Sequence, residues 1–67
     1  MKMTISWKVS VENRFNAKVD YLNNGIFEIA SFDDAKTISR EIQNSGALAS
    51  AIYHEDNGTF TLYWDEK

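Results

Sequence analysis

The sequence predicts an α+β domain: a single antiparallel sheet of about five strands, in the order β-β-β-α-β-β, with one helix packed on one face. Three observations predict it. Ile5, Trp7, Val9 and Val11 alternate strictly with Thr4, Ser6, Lys8, Ser10 and Glu12, the period of two expected of a strand with one buried face. Residues 31–46 carry the cap, apolar stripe and terminal glycine of one helix. Gly25 and Gly58 each follow asparagine, marking turns between further alternating runs.

After the first run, Asn13-Arg14-Phe15-Asn16 reads as a turn. Ala17, Val19 and Tyr21 then alternate with Lys18 and Asp20 as a second strand. Keeping Val9 and Val11 on the face of Val19 and Tyr21 requires a first loop of odd length. Asn23-Asn24-Gly25 signals the next hairpin. A two-residue Asn-Gly loop would oppose Tyr21 to Glu28 and mix carboxylates into the apolar face. A three-residue loop, with Gly25 in the left-handed position of a bulge, opposes Tyr21 to Phe27, Val19 to Ile29 and Asp20 to Glu28. That register segregates the faces, so a three-stranded meander is expected.

Ser31 stands where a helix N-cap belongs, with Asp34 at the reciprocal capping-box position, and Asp33 and Asp34 suit the positive end of the helix dipole. Phe32, Ala35, Ile38 and Ile42 form the expected apolar stripe. Lys36, Arg40, Glu41, Gln43 and Asn44 occupy the other faces, and Gly46 ends the helix. Leu48–His54 is extended, Asp56-Asn57-Gly58 turns the chain, and Thr59–Trp64 alternates again. A three-residue loop here sends Ile52 into the core with Phe60 and Leu62 and leaves Ala51, Tyr53 and Tyr63 outside. A two- or four-residue loop groups Ala51 and Tyr53 with Leu62 and Trp64 instead. The first register is the one expected.

Sixty-seven residues, 1–67, make one domain with one core. A chain of this size buries about 60% of its unfolded surface, and its core supplies roughly 3–5 kcal/mol. The usual reinforcements are disulfides, a structural metal or self-association. With no cysteine and one histidine, disulfides, thiolate zinc sites and histidine-based sites are excluded. Aromatic residues make up 13% of the chain, enough for a few large rings to build a small core. No apolar stretch reaches the length of a signal peptide or a membrane span, so a cytoplasmic location is expected.

The net charge of −3 is unevenly placed. Lys2, Lys8, Arg14 and Lys18 against Glu12 make the first eighteen residues locally basic, while nine carboxylates against Lys36, Arg40 and Lys67 make the remainder acidic. Phosphate binding needs concentrated positive charge, so the balance counts against a nucleic-acid binder.

Candidate chemistry fares no better. A serine nucleophile would have only His54 as base, and no nucleophile elbow marks a partner. The adjacent acids Asp33-Asp34 and Glu55-Asp56 are explained by helix capping and turn formation. Glu55-Asp56-Asn57-Gly58 lacks the spaced acids and distal glutamate of a calcium loop. The glycines lie at turns and a cap, not in a phosphate cradle. No catalytic residue, metal or cofactor is expected.

One helix covers one face of such a sheet, so a second face is left over. The expected function is accordingly that of a small non-enzymatic protein-binding domain. Tyr53, Tyr63 and Trp64 are its candidate aromatic anchors. If the partner handles nucleic acid, Asp33, Asp34, Glu55 and Asp56 would compete for its basic groove as a phosphate mimic does. In size and charge the chain is similar to the inhibitors that phages and mobile elements direct at defence nucleases, anti-CRISPR proteins among them. The alternatives are a homodimeric structural or regulatory module, in which the partner is a second copy, and a single-strand nucleic-acid-binding module using aromatics on the open sheet.

Overall fold

The computed structural model describes residues 3–65. Its elements are α1 (Ile5–Phe15), β1 (Lys18–Asp20), β2 (Gly25–Ile29), α2 (Phe32–Asn44), β3 (Leu48–His54) and β4 (Thr59–Asp65). The chain is thus α+β with one antiparallel sheet, but the sheet has four strands in the order β1-β2-β4-β3, and there are two helices. The expected sheet of about five strands under one helix differs on both counts, and one segment accounts for both differences.

That segment is residues 5–15. Its alternation suggested a strand, yet it is helical, because a second spacing in the same residues wins. Trp7, Lys8, Val11 and Phe15 fall at helical intervals, and Val11 is fully buried while Trp7 and Phe15 pack against the core. Ile5 and Val9, which a strand would have hidden, are 68% and 43% exposed. The Thr4 hydroxyl caps the helix by accepting from the Trp7 N–H. The expected turn at Asn13–Asn16 is instead the last helical turn, closed by Asn16 in the left-handed conformation (φ 54°). Lys8 is 7% exposed, and its ammonium lies 5.9 Å from the centre of the Trp64 ring.

The first hairpin also departs from expectation. Val19 opposes Ile26, Lys18 opposes Phe27 and Asp20 opposes Gly25, so the Tyr21–Phe27, Val19–Ile29 and Asp20–Glu28 pairs do not form. The loop is four residues long because the Asp20 carboxylate organises it, accepting from the Leu22 N–H, the Asn23 N–H and the Asn23 side chain. Gly25 is not left-handed. It sits in β2, where a Cβ would lie 3.2 Å from the Phe27 ring. The left-handed residue in this strand is Glu28 (φ 59°), within the irregularity of the β2–β4 ladder between Ile26 and Ile29.

The helix α2 follows the sequence closely. The Ser31 hydroxyl accepts from the Asp34 N–H at 3.1 Å, Ala35, Ile38 and Ile42 are buried, and Gly46 follows the cap residue Ser45 with φ 95°. Ser31→Ala is expected to lower stability by about 1 kcal/mol, read as a shift in urea midpoint with an unchanged slope. Phe32 departs from the stripe and is 64% exposed.

In the second hairpin the register is the alternative one. Tyr53 opposes Phe60, Ala51 opposes Leu62 and Ala49 opposes Trp64 across a four-residue turn. The Asn57 carboxamide oxygen sets its length, accepting from the Thr59 N–H and hydroxyl. Residues directly opposed across an antiparallel ladder share a face. Ala49, Ala51 and Tyr53 therefore face the helices with Phe60, Leu62 and Trp64, and Ile52, expected inside, is 47% exposed on the other side.

Both helices lie on this one face. α2 packs on β2, β3 and β4. α1 reaches the same side through Trp7, which meets Trp64 edge-on at 5.8 Å. Glu41 of α2 ties the helices together, accepting from the Trp7 indole N–H at 2.9 Å and from both terminal nitrogens of Arg14 at 2.7 and 3.1 Å. These bonds hold the Glu41 carboxyl below its ordinary value, Arg14 being the largest cause. Among the described residues, no helix lies on the opposite face of the sheet. That face carries Phe27 and Tyr63 at 5.9 Å, exposed Leu48 and Ile52, and Thr61, whose hydroxyl bonds the His54 ring at 2.7 Å.

Candidate functional site

The second hairpin and α2 together leave a groove. Ile38 and Ile42 seat the helix against β3 and β4, yet most residues of the edge strand β3 stay exposed. On its helix-facing side β3 presents the small residues Ala49 and Ala51 next to Tyr53. The resulting cavity is about 360 Å³, with Ala51, Phe60 and Leu62 as its floor and Phe32, Lys36, Ser39, Arg40 and Gln43 along the helix wall. That is room for a few side chains, at the lower end of the ~300–1,000 Å³ common for ligand pockets.

One end of the groove is aromatic. The Phe32 ring lies 6.1 Å from Phe60, which lies 4.9 Å from Tyr53, so three rings form a row. Phe60 is half-buried at its centre, while Phe32 and Tyr53 are 64% and 55% exposed. Rings of this size carry about 150–250 Å² each, and two lying open side by side are more than scattered surface apolarity. Acidic residues stand near the ends of the row: Asp33 follows Phe32, and Glu55 and Asp56 occupy the turn after His54. Further along, the wall becomes cationic with Lys36 and Arg40. The ion pairs of the described residues are Arg14–Glu41 and Lys18–Glu28, so neither groove cation is engaged in one.

Four of the residues singled out from sequence therefore fall about the row: Tyr53, Asp33, Glu55 and Asp56. Asp34 does not, lying about 160° round α2 from Phe32 on the flank of Glu41. Two others do not either. Tyr63 is on the opposite face against Phe27. Trp64, expected as an anchor, is 4% exposed beneath α1 and belongs to the core. Phe32, Phe60, Lys36, Arg40 and Ala51 were missed as site residues. For the helical ones a signal exists. At about 100° per residue, Phe32 lies about 120° from Ile38 and within about 40° of Lys36, Ser39 and Gln43. It thus belongs to their flank, not to the buried stripe.

Among the described residues, no three His, Asp or Glu side chains gather as a metal site, and no helix is long and apolar enough to cross a membrane. Comparison of the chain with family models, curated proteins and solved structures gives no significant match in any of the three.

Proposed function

We propose that the chain is a non-enzymatic protein-binding domain that docks through the groove between α2 and β3. The observation that carries this is the aromatic row at the groove's mouth, where Phe32 and Tyr53 stay exposed although a chain this small has few rings to spare. Aromatic side chains in a concave setting are the usual anchors of protein interfaces, since they lose large areas to water-free contact at small entropic cost.

One feature favours a more specific form of this reading. Asp33 stands at one side of the row and Glu55 and Asp56 at the other, a placement of carboxylates that suits a basic, phosphate-binding surface. In that form the domain inhibits a larger nucleic-acid-handling machine by occupying its groove, in the manner of the phage and mobile-element inhibitors that include anti-CRISPR proteins.

The test is capture of the partner from the native host with wild-type protein, followed by variants. Phe32→Ala with Tyr53→Ala is expected to weaken binding at least about a hundredfold, because truncation of an anchor costs 2 kcal/mol or more. Asp33→Lys with Glu55→Lys is expected to slow association and abolish its salt dependence if the partner is basic. A partner indifferent to the aromatic pair would remove this surface from consideration. A doubled mass in light scattering with no other partner would favour the homodimeric module. Salt-sensitive binding of a labelled oligonucleotide would favour the single-strand module.

A further inference from the structure

The two edges of the sheet are built differently. β1 is three residues long and carries Lys18 and Asp20 at its ends, which guards it against pairing. β3 is seven residues long, Leu-Ala-Ser-Ala-Ile-Tyr-His, with no proline and no charged residue. Among the described residues it pairs with β4 alone, so the outward backbone groups of Leu48–His54 meet no strand. Leu48 and Ser50–Tyr53 are exposed along it. Natural edges of this length are ordinarily interrupted by a charge, a bulge or a proline. This one runs beside the groove.

We infer that β3 accepts an extended segment of the partner as a fifth strand, whose inward side chains enter the groove under α2. This rests on the protein-binding reading above and names the form of the ligand. A strand added to an edge places alternate side chains on each face, so residues two apart point into the groove together. The walls dictate what those residues are. At the level of Ala51 the added side chain meets Lys36 and Arg40 and is acidic. At the level of Tyr53 it meets the aromatic row and is apolar. Just past the end of β3 it comes up against the turn that carries Glu55 and Asp56 and is basic. Antiparallel addition, the more stable ladder per residue, orders these from amino to carboxyl end as cation, any, apolar, any, acid. The two charges are then about 13 Å apart.

A second copy paired about the centre of β3 fits the edge poorly. A twofold axis through the middle of β3 would gather Lys36 and Arg40 of both copies around one point, and β3 itself brings no carboxylate to meet them.

The experiment uses a labelled nine-residue peptide with Lys, Leu and Glu at its third, fifth and seventh positions and Thr elsewhere. A companion peptide has Lys in place of Glu. Fluorescence anisotropy is measured against the full chain and against K36E/R40E, whose changed residues are surface positions of α2. The expected result is that the Lys-Leu-Glu peptide binds the wild type, that K36E/R40E binds it about tenfold or more weakly, and that K36E/R40E prefers the Lys-Leu-Lys peptide. Amide resonances of Leu48–His54 shift on binding. Four results would overturn the inference. They are no binding at millimolar peptide, equal binding to K36E/R40E, shifts confined to the Phe27–Tyr63 face, or a doubled mass in light scattering with β3 amides protected from exchange in the free protein. If the peptide fails while a captured partner still depends on Phe32 and Tyr53, strand addition falls and the docking groove stands. If both fail, the groove itself is excluded.

Discussion

Ile38→Ala is expected to leave most of the chain unfolded at 37 °C. Ile38 is fully buried in α2, between Ala35 and Ile42 on the stripe that seats the helix. Truncating a buried isoleucine costs about 2–5 kcal/mol, made up of lost transfer free energy and the cavity left behind. A core of this size supplies only about 3–5 kcal/mol in total. Ile38→Val, which removes one methylene and leaves a smaller cavity, costs about 0.5–1.5 kcal/mol and should remain folded. Urea titration followed by circular dichroism separates the two outcomes. An Ile38→Ala protein with a near-native midpoint would mean that α2 is held elsewhere, most simply by Glu41.

Glu41→Ala is the second large effect. The carboxylate receives three hydrogen bonds from α1, two of them from one guanidinium in fork geometry. Hydrogen bonds to charged groups contribute about 1.5–3 kcal/mol where water is excluded. Here the Arg14 and Glu41 side chains are partly exposed, which lowers the figure to about 1–2 kcal/mol. Because Trp7 loses its indole partner, tryptophan fluorescence should report the change directly.

The same bond makes an acid-stability prediction. The folded-state pKa of Glu41 lies below the ordinary value of 4.5, through the Arg14 bond first and the Trp7 bond in addition. Between the two values the unfolded chain binds the proton and the folded chain does not. The contribution is therefore complete above about pH 4.5 and is lost as pH falls through the folded-state value. Glu41→Gln should flatten the stability profile below pH 4.5 relative to wild type. An unchanged profile would mean that Arg14 and Glu41 do not pair in solution. The Asp20 carboxyl is lowered as well, by the Asn23 side chain first and then the Leu22 and Asn23 amides. Its contribution has the same sign and persists in the variant.

The parts of the fold that sequence made legible are those fixed by short-range chemistry. The Ser31 cap, the Ala35-Ile38-Ile42 stripe and Gly46 define α2 within a few residues of one another. The β3–β4 and β2 strands are equally local. What sequence concealed depended on competition between two patterns or on the length of a loop. Ile5–Val11 satisfies a period of two, and the four-residue steps from Trp7 to Val11 to Phe15 reveal the helical one. Both hairpin registers turned on side chains that reach the backbone from the turn, Asp20 in one and Asn57 in the other. Each lengthened its loop to four residues: in the first hairpin this moved Phe27 off the core face while Ile29 stayed buried, and in the second it exchanged Ile52 for Tyr53. The acids of the candidate site were visible because they sit at element ends. The groove between them was not, because it exists only once Ala51 is known to lie under α2 beside Leu62.

The unequal edges of the sheet also govern stoichiometry. Edge-to-edge association spreads into fibres when both margins of a sheet accept strands, since each added unit exposes a fresh margin for the next. Here β1, short and charged, offers no margin for growth on its side, so β3 is the one edge of this sheet open to a further strand. Copies of this chain therefore cannot propagate edge to edge beyond a single β3–β3 contact.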